Sequence, residues 1–218
     1  MLIGSTLLLP LESTGQETAA AVSQVGSKAV GQLPGQWPMY RANAARTGYV
    51  PGKLADQLHL QWVYHSPLRP RPAWPRSPRM PFDRAYQTVI ADGKILFGSS
   101  ADHTVYALDA TTGREIWRFV TDGPVRFAPA VWHDRAFVAS DDGYMYALAI
   151  SDGKLLWKTQ GGANDAGILG NQRLINKWPA RGGPAVVGEV VYFAAGIWPT
   201  DGIYLRALNV RTGKQVWL

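Results

Sequence analysis

The chain has 218 residues, a net charge of +6 and no cysteine. That length allows one or two domains. The missing cysteines exclude disulfides, Cys-based zinc sites and a C-x-x-C-H haem attachment.

In chain order, residues 1–36 come first and read as a disordered leader or a degraded signal. Leu2, Ile3 and Leu7 to Leu9 are apolar, but no Lys or Arg precedes them, and Gly4, Ser5, Thr6 and Pro10 interrupt the run. A secretory signal needs a charged start and a continuous apolar core. Residues 12–36 are small and polar. No apolar run is long enough to span a membrane.

Residues 37–85 read as a lead-in segment. Within it, residues 58–64, centred on Trp62, read as a lone outer strand. An Arg/Pro-rich loop follows, carrying Arg69, Arg71, Arg76, Arg79 and Arg84. Prolines keep such a stretch extended and out of a sheet. Its charge reads as a solvated loop that can attract anionic partners. The four histidines, His59, His65, His103 and His133, lack metal-ligand spacing and read as surface or turn residues.

From residue 86 the chain repeats itself. The first copy of a short phrase runs Tyr106-Ala107-Leu108-Asp109-Ala110-Thr111-Thr112-Gly113-Arg114-Glu115-Ile116-Trp117. The second ends in Gly153 and Trp157, and the third in Gly213 and Trp217. Apolar alternation of period two on both sides of each Gly predicts two strands and a tight turn. Asp109 and Thr112 can bond the turn backbone through their side-chain oxygens. Each closing Trp is expected to pack across a neighbouring sheet, its N–H on a polar partner. Two further strands precede each copy: residues 86–90 and 94–99, then 128–131 and 135–140, then 184–187 and 189–194. Each unit is therefore a four-stranded antiparallel meander, giving blades at 86–119, 127–158 and 184–217. Trp117 and Trp157 lie 40 residues apart, a propeller-blade period. The expected fold is all-β, a partial β-propeller of three blades; closed rings have about 4–8.

Ala-Leu-Asp-x-x-Thr-Gly-x-x-x-Trp resembles the tryptophan-docking motif of the PQQ-like (quinoprotein-type) β-propellers. Trp37-Pro38-Met39-Tyr40-Arg41 with Arg46-Thr47-Gly48 resembles their opening segment. Pro81-Phe82-Asp83-Arg84 and residues 169–183 resemble segments of large planctomycete-type PQQ-like repeat proteins. The resemblance covers residues 37–218. The second copy departs from the motif at Ala149 and Asp152 and the third at Asn209, substitutions expected to weaken the turn bonding. The resemblance implies a ring of eight blades, so the three here are expected to be part of a longer repeat protein. In a full ring, residues 58–64 would complete the last blade. It also implies an exported, periplasmic or envelope location.

Length differences between the copies locate the candidate site. The connection from Trp157 to Pro184 is 15 residues longer than that from Trp117 to Pro129. The third blade gains 5 residues, which fit at 195–202, and the stretch from Trp62 to Thr88 gains 14. In an antiparallel blade, the outer-to-inner connection and the second-to-third turn emerge on one face, so all three insertions are expected together. Loops on a rigid scaffold carry function. The candidate binding face holds Trp74, Trp178 and Trp198 with Asn164, Asp165, Asn171, Arg173, Asn176 and Arg181. Aromatic plates with Arg and Asn suit a planar anionic ligand, an extended peptide or a glycan. The same insertions can instead fold over the scaffold and bury their own tryptophans, or dock a protein.

The family resemblance implies two activities. One is PQQ-dependent dehydrogenation with Ca²⁺, whose alcohol dehydrogenases carry a vicinal disulfide that this chain cannot form. The other is a propeller without PQQ, as in outer-membrane assembly lipoproteins, whose anchor needs a Cys. Calcium takes about 6–8 oxygen ligands, while the acids here sit mostly in turns, as do Asp92, Asp102, Asp109, Asp134, Asp141, Asp142 and Asp152. The favoured reading is a non-catalytic binding scaffold with no catalytic residue, no metal site and no cofactor assigned. PQQ enters through the resemblance alone. The expected partners are a protein or the remaining blades, not nucleic acid.

Overall fold

The computed structural model describes residues 35–74, 82–170 and 172–217. Residues 1–34 of the leader, and Arg76, Arg79, Pro81 and Asn171, fall outside the described residues. Three four-stranded antiparallel sheets follow one another along the chain. The first holds β1 (Val89–Ala91), β2 (Lys94–Gly98), β3 (Thr104–Asp109) and β4 (Glu115–Val120). The second holds β5 (Ala130–Trp132), β6 (Arg135–Ala139), β7 (Tyr144–Ala149) and β8 (Leu155–Gln160). A two-stranded hairpin follows, β9 (Gly167–Gly170) with β10 (Arg173–Asn176). The third sheet holds β11 (Ala185–Val187), β12 (Val190–Ala195), β13 (Tyr204–Asn209) and β14 (Gln215–Trp217). Each sheet is a meander, with sequence neighbours paired.

The first inner strand starts later than residue 86. Tyr86 turns its hydroxyl to the Leu68 carbonyl at 2.6 Å, and the Gln87 amide bridges Phe82 O at 3.2 Å and Ala128 N–H at 3.3 Å. These residues tie the lead-in segment to the blades. Residues 58–64 form no strand, contrary to the sequence expectation. No strand runs beside them among the described residues, and Leu58 and Leu60 stay exposed. Only the anchor forms: Trp62 donates its indole N–H to Ala110 O at 3.1 Å. Between this segment and the first sheet lies a pocket of about 170 Å³ lined by Trp62, Tyr64, Tyr86, Ile95, Phe97 and Leu108. In contrast, residues 37–39 follow the inner strands closely. Trp37 exchanges two backbone bonds with Ile90, and Pro38 O accepts from Val131 N.

The sheets pack face to face through two apolar cores. Val89, Leu96, Val105 and Trp117 meet Val131, Val138, Tyr146 and Leu148 between the first and second. Phe137 and Met145 meet Val186, Val191, Phe193 and Leu208 between the second and third.

The repeated phrase explains how the sheets stack. In each outer strand a β-bulge lets Ala107, Ala147 or Ala207 face Trp117, Trp157 or Trp217, with one extra residue before the Trp. The small Ala leaves room for the large ring. Trp117 then lies on the turn glycine of the next blade: a Cβ built on Gly153 would stand 2.6 Å from the indole. Its N–H reaches Ile150 O at 2.9 Å. Trp157 repeats this on Gly213, donating to Val210 O at 3.1 Å, and Trp62 repeats it on Gly113. Gly153 also has φ +73, which an L side chain rarely adopts. Trp217, 43% exposed, meets no such turn among the described residues.

The turns themselves correct one expectation. Asp109 Oδ1 accepts from Thr111 N, Thr112 N and Thr112 Oγ1 at 3.0, 2.7 and 2.9 Å. Asn209 Oδ1 takes the same three bonds from Arg211 and Thr212 at 3.0, 3.1 and 3.2 Å. An amide oxygen accepts as a carboxylate does, so the third turn keeps its hydrogen-bond pattern. Only the second turn loses the bonds, because Ala149 has no side-chain oxygen. There Asp152 accepts from Lys154 N at 3.1 Å and pairs with its ammonium.

Two predictions follow from the docking and the turns. Trp117→Ala is expected to lower unfolding free energy by about 3–5 kcal/mol, the range for emptying a buried aromatic site, while Trp217→Ala costs under about 1 kcal/mol. Gly153→Ala should add an overpacking cost of about 1–3 kcal/mol that Gly93→Ala, also at positive φ but with open space around it, does not show. Urea denaturation of the four variants checks both. For Asp109, the bonds from Thr112 lower its pKa, so its contribution is present above the unfolded carboxylate pKa and fades as pH falls through the folded one. Asp109→Asn should therefore melt with the parent at pH 7 and lose less stability than the parent on acidification to about pH 3, read by calorimetry.

Candidate functional site

The three insertions meet. Trp74, from the lead-in loop, packs edge-on against Trp198 of the third blade, with centroids 5.9 Å apart and planes at 78°. Trp198 precedes a single 3-10 turn, Pro199–Asp201, and is 50% exposed. Trp178 is buried, packed on Gly162, and donates its N–H to Asp201 O at 2.7 Å. Lys177 pairs with the Asp201 carboxylate at 2.9 Å. The second and third insertions thus share one small core of their own.

Under this surface lies a chain of buried charges. Arg126, on the β4–β5 loop, places Nη1 2.5 Å from Asp83 Oδ2 and Nε 2.6 Å from Asp141 Oδ2. Asp141, on the β6–β7 turn, also accepts a two-pronged bond from Arg181, with both contacts at 2.8 Å. The side chains of Asp83, Asp141 and Arg126 are 1%, 1% and 4% exposed. Arg126 further donates to Arg71 O at 2.7 Å, and Asp83 accepts from Ala73 N at 2.8 Å. Phe82 stacks on Phe127 beside the pair, centroids 5.3 Å apart and nearly parallel. One ionic chain therefore joins the lead-in loop, the first outer-to-inner loop, a blade turn and the second insertion. Charges this deeply buried persist only when paired and hydrogen-bonded.

Arg173 behaves differently. The β9–β10 hairpin carries it to the β2–β3 turn of the first blade, where it donates to Ser100 O at 2.6 Å and Ala101 O at 2.9 Å. It also lies 2.8 Å from His103 Nε2. Arginine only donates, so that ring nitrogen accepts and the histidine proton sits on Nδ1. His103 holds a positive φ of 60°. Burial first, and then the Arg173 charge, push its pKa down. Burial and the nearby Arg71 and Arg126 charges lower Arg173 in turn.

The remaining candidates are structural in their contacts. Asn176 accepts from Trp178 N at 2.8 Å and donates to Asn164 O at 3.2 Å. Asp165 takes the Tyr144 hydroxyl at 2.8 Å. Asp141, read from sequence as a turn acid, instead closes two arginines. The sequence reading also passed over Arg126 and the part Asp83 plays, since 43 residues separate the two and no local pattern joins them. A repeated Asp-to-Tyr bond was legible yet missed: Tyr106 donates to Asp102 at 2.5 Å and Tyr146 to Asp142 at 2.6 Å. The third blade has Gly202 and Arg206 at these positions, and Arg206 reaches back to Gly161 O at 2.7 Å.

Among the described residues, no three His, Asp or Glu side chains are grouped to hold a metal ion. The two buried carboxylates of the face are paired with arginine, both oxygens at Asp141 and Oδ2 alone at Asp83, whose buried Oδ1 has no partner among the described residues. The described residues therefore do not fit a quinone-plus-calcium centre. No helix among them is long and apolar enough to cross a membrane.

Comparison with known proteins agrees with this architecture. Quinohemoprotein alcohol dehydrogenase ADH IIB of Pseudomonas putida is 25% identical over 98% of the chain, which spans 30% of that protein. Serine/threonine-protein kinase AfsK of Streptomyces coelicolor is 38% identical over 62% of the chain, which spans 14% of it. The crystal structure of quinohemoprotein alcohol dehydrogenase from Comamonas testosteroni superposes with a TM-score of 0.62 at 21% identity, covering 92% of this chain and 30% of that one. The chain thus spans less than a third of each relative. The family model described as outer membrane protein assembly factor BamB matches residues 72–218, and the chain belongs to this family of PQQ-like β-propeller repeats.

Proposed function

We propose that this chain is a non-catalytic propeller scaffold whose insertion face binds a partner. The observation that carries the reading is the buried ionic chain. Asp83, Arg126, Asp141 and Arg181 are committed to one another, so the polar groups a reaction would use serve to hold loops in place. The half-exposed Trp198, backed by Trp74, is what the face offers outward, and exposed aromatics on a rigid base suit binding. The relatives point the same way. The repeat occurs in proteins named for a dehydrogenase and for a kinase, so its presence does not specify a chemistry. The BamB family description favours an exported or envelope location.

A second reading makes this chain a portion of a quinoprotein dehydrogenase. The 25% identity to ADH IIB over 98% of the chain favours it. Mixing the protein with PQQ and Ca²⁺, followed by gel filtration and a dye-linked alcohol oxidation assay, separates the two. The scaffold reading expects neither retained cofactor absorbance nor dye reduction, and either one would overturn it. In the same preparation, Asp141→Ala should lower stability by about 3–5 kcal/mol, because it leaves two arginines without their buried counter-charge. Trp198→Ala should leave the melting temperature nearly unchanged while weakening partner capture from envelope extract.

A further inference from the structure

His103 stands where three elements meet. Its backbone carbonyl accepts from Thr121 N–H at 2.8 Å and from Thr121 Oγ1 at 2.9 Å, which fixes the β2–β3 turn against the loop after β4. Its ring Nε2 lies 2.8 Å from Arg173 Nη1 of β10. A guanidinium cannot accept a hydrogen bond, and neither can an imidazolium, so this bond exists only while His103 is neutral. Adding a proton sets two donors and two positive charges against each other. The hairpin depends on this contact. Among the described residues, the hydrogen bonds that tie the outer half of β9–β10 to the first blade all come from Arg173, on Ser100 O, Ala101 O and His103. The base of the hairpin is held separately, since Asn176 N–H donates to Asp141 O at 2.8 Å and Ile175 is buried. Further out, Leu169 and Leu174 are exposed.

The charged groups around the ring come from four elements. Arg173 of β10 and Arg126 of the β4–β5 loop oppose a charged imidazole, while Asp102 of its own turn and Asp141 of the β6–β7 turn favour one. Asp141 is already paired with Arg126 and Arg181, and Asp102 Oδ2 takes the Tyr106 hydroxyl. Asp102 Oδ1 is buried and has no partner among the described residues. A charged ring is therefore pushed from Arg173 and drawn toward Asp102.

We propose that His103 is a proton-operated latch, which holds the outer half of the β9–β10 hairpin on the first blade while neutral and releases it when charged. Histidine is the side chain whose charge changes under mild acidification. Burial first, and then the Arg173 charge, hold the folded ring below its ordinary 6.5. The closed hairpin is therefore fully supported above 6.5 and loses that support as pH falls from there through the lower folded value. Release frees one strut of the insertion face and uncovers the Ser100 and Ala101 carbonyls. The Trp117 and Trp157 docks are untouched, so the face changes shape while the blades stay folded.

The chain has no cysteine, so two can be introduced for spin labels without interference. Ile116→Cys on β4 and Leu174→Cys on β10 are both at exposed positions. Pulsed electron resonance then reads the distance between hairpin and first blade from about pH 8 down to about pH 4.5, above the range where ordinary aspartates titrate. The latch predicts one narrow distance at high pH that lengthens and broadens on acidification, with a midpoint below 6.5. His103→Gln offers an amide oxygen as acceptor but does not titrate, and its distance should stay narrow throughout. Arg173→Gln should be broad at every pH, and the His103 ring signal in proton NMR should titrate higher than in the parent, a shift that a merely structural strut would not produce. A parent distance that does not change, a transition that survives in His103→Gln, or a narrow distance in Arg173→Gln overturns the latch. Circular dichroism reports whether each variant is folded; if His103→Gln is not, the two readouts of Arg173→Gln decide alone. The labels report on the hairpin with no partner present, so the outcome is independent of the scaffold reading.

Discussion

The contact between an indole ring and a glycine turn is the constraint on which the rest of this structure depends. It needs three things at once. The turn must lack a Cβ, the preceding outer strand must bulge to aim the ring, and a backbone carbonyl must receive the indole N–H. All three are present at Trp117 and Trp157, while Trp62 makes the glycine and carbonyl contacts from a segment that forms no strand. Each dock fixes one blade against the next, and the apolar cores between sheets then fill at a set register. A repeat of this kind is stabilised by neighbour contacts more than by any one blade.

The insertion face obeys a second rule, that a buried charge must be matched. Asp141 is the hinge of that rule, since it receives Arg126 from one loop and Arg181 from another. The pairings rigidify loops that would otherwise be long and free. They also remove those groups from solvent, so the face presents the half-exposed Trp198, backed by Trp74, on a stiff base. A platform of this kind favours recognition, because little ordering remains to be done when a partner arrives.

Much of the fold was legible in the sequence and less of the site. Period-two alternation around Gly113, Gly153 and Gly213 was enough to place the sheets, because local pattern and final structure agree there. Residues 58–64 were misread as a strand: their own pattern suits one, but a strand also needs a neighbour to bond. The β9–β10 hairpin was missed because its apolar residues stand in adjacent pairs, Ile168-Leu169 and Leu174-Ile175, with no period-two alternation to mark two strands. Counting insertion lengths brought Trp74 and Trp198 to one face, because blade geometry dictates where connections emerge. It could not reveal Asp83 with Arg126, or Arg173 with Ser100, since those bonds span 43 and 73 residues. Nor could it show that Asn209 keeps the bonds of Asp109, which depends on one side-chain oxygen accepting from three donors.

The β9–β10 hairpin has a further consequence. It leaves the chain after the second sheet and before the third, yet its Arg173 bonds to a turn of the first. In a simple stack each blade feels only its neighbours, and an end blade can fray alone. A strut that skips over the middle blade removes that freedom. Opening the first sheet must break the Arg173 bonds, and releasing the hairpin loosens the loop that precedes the third. The three sheets are therefore joined as one cooperative unit, with a melting behaviour closer to that of a compact domain than of a modular array.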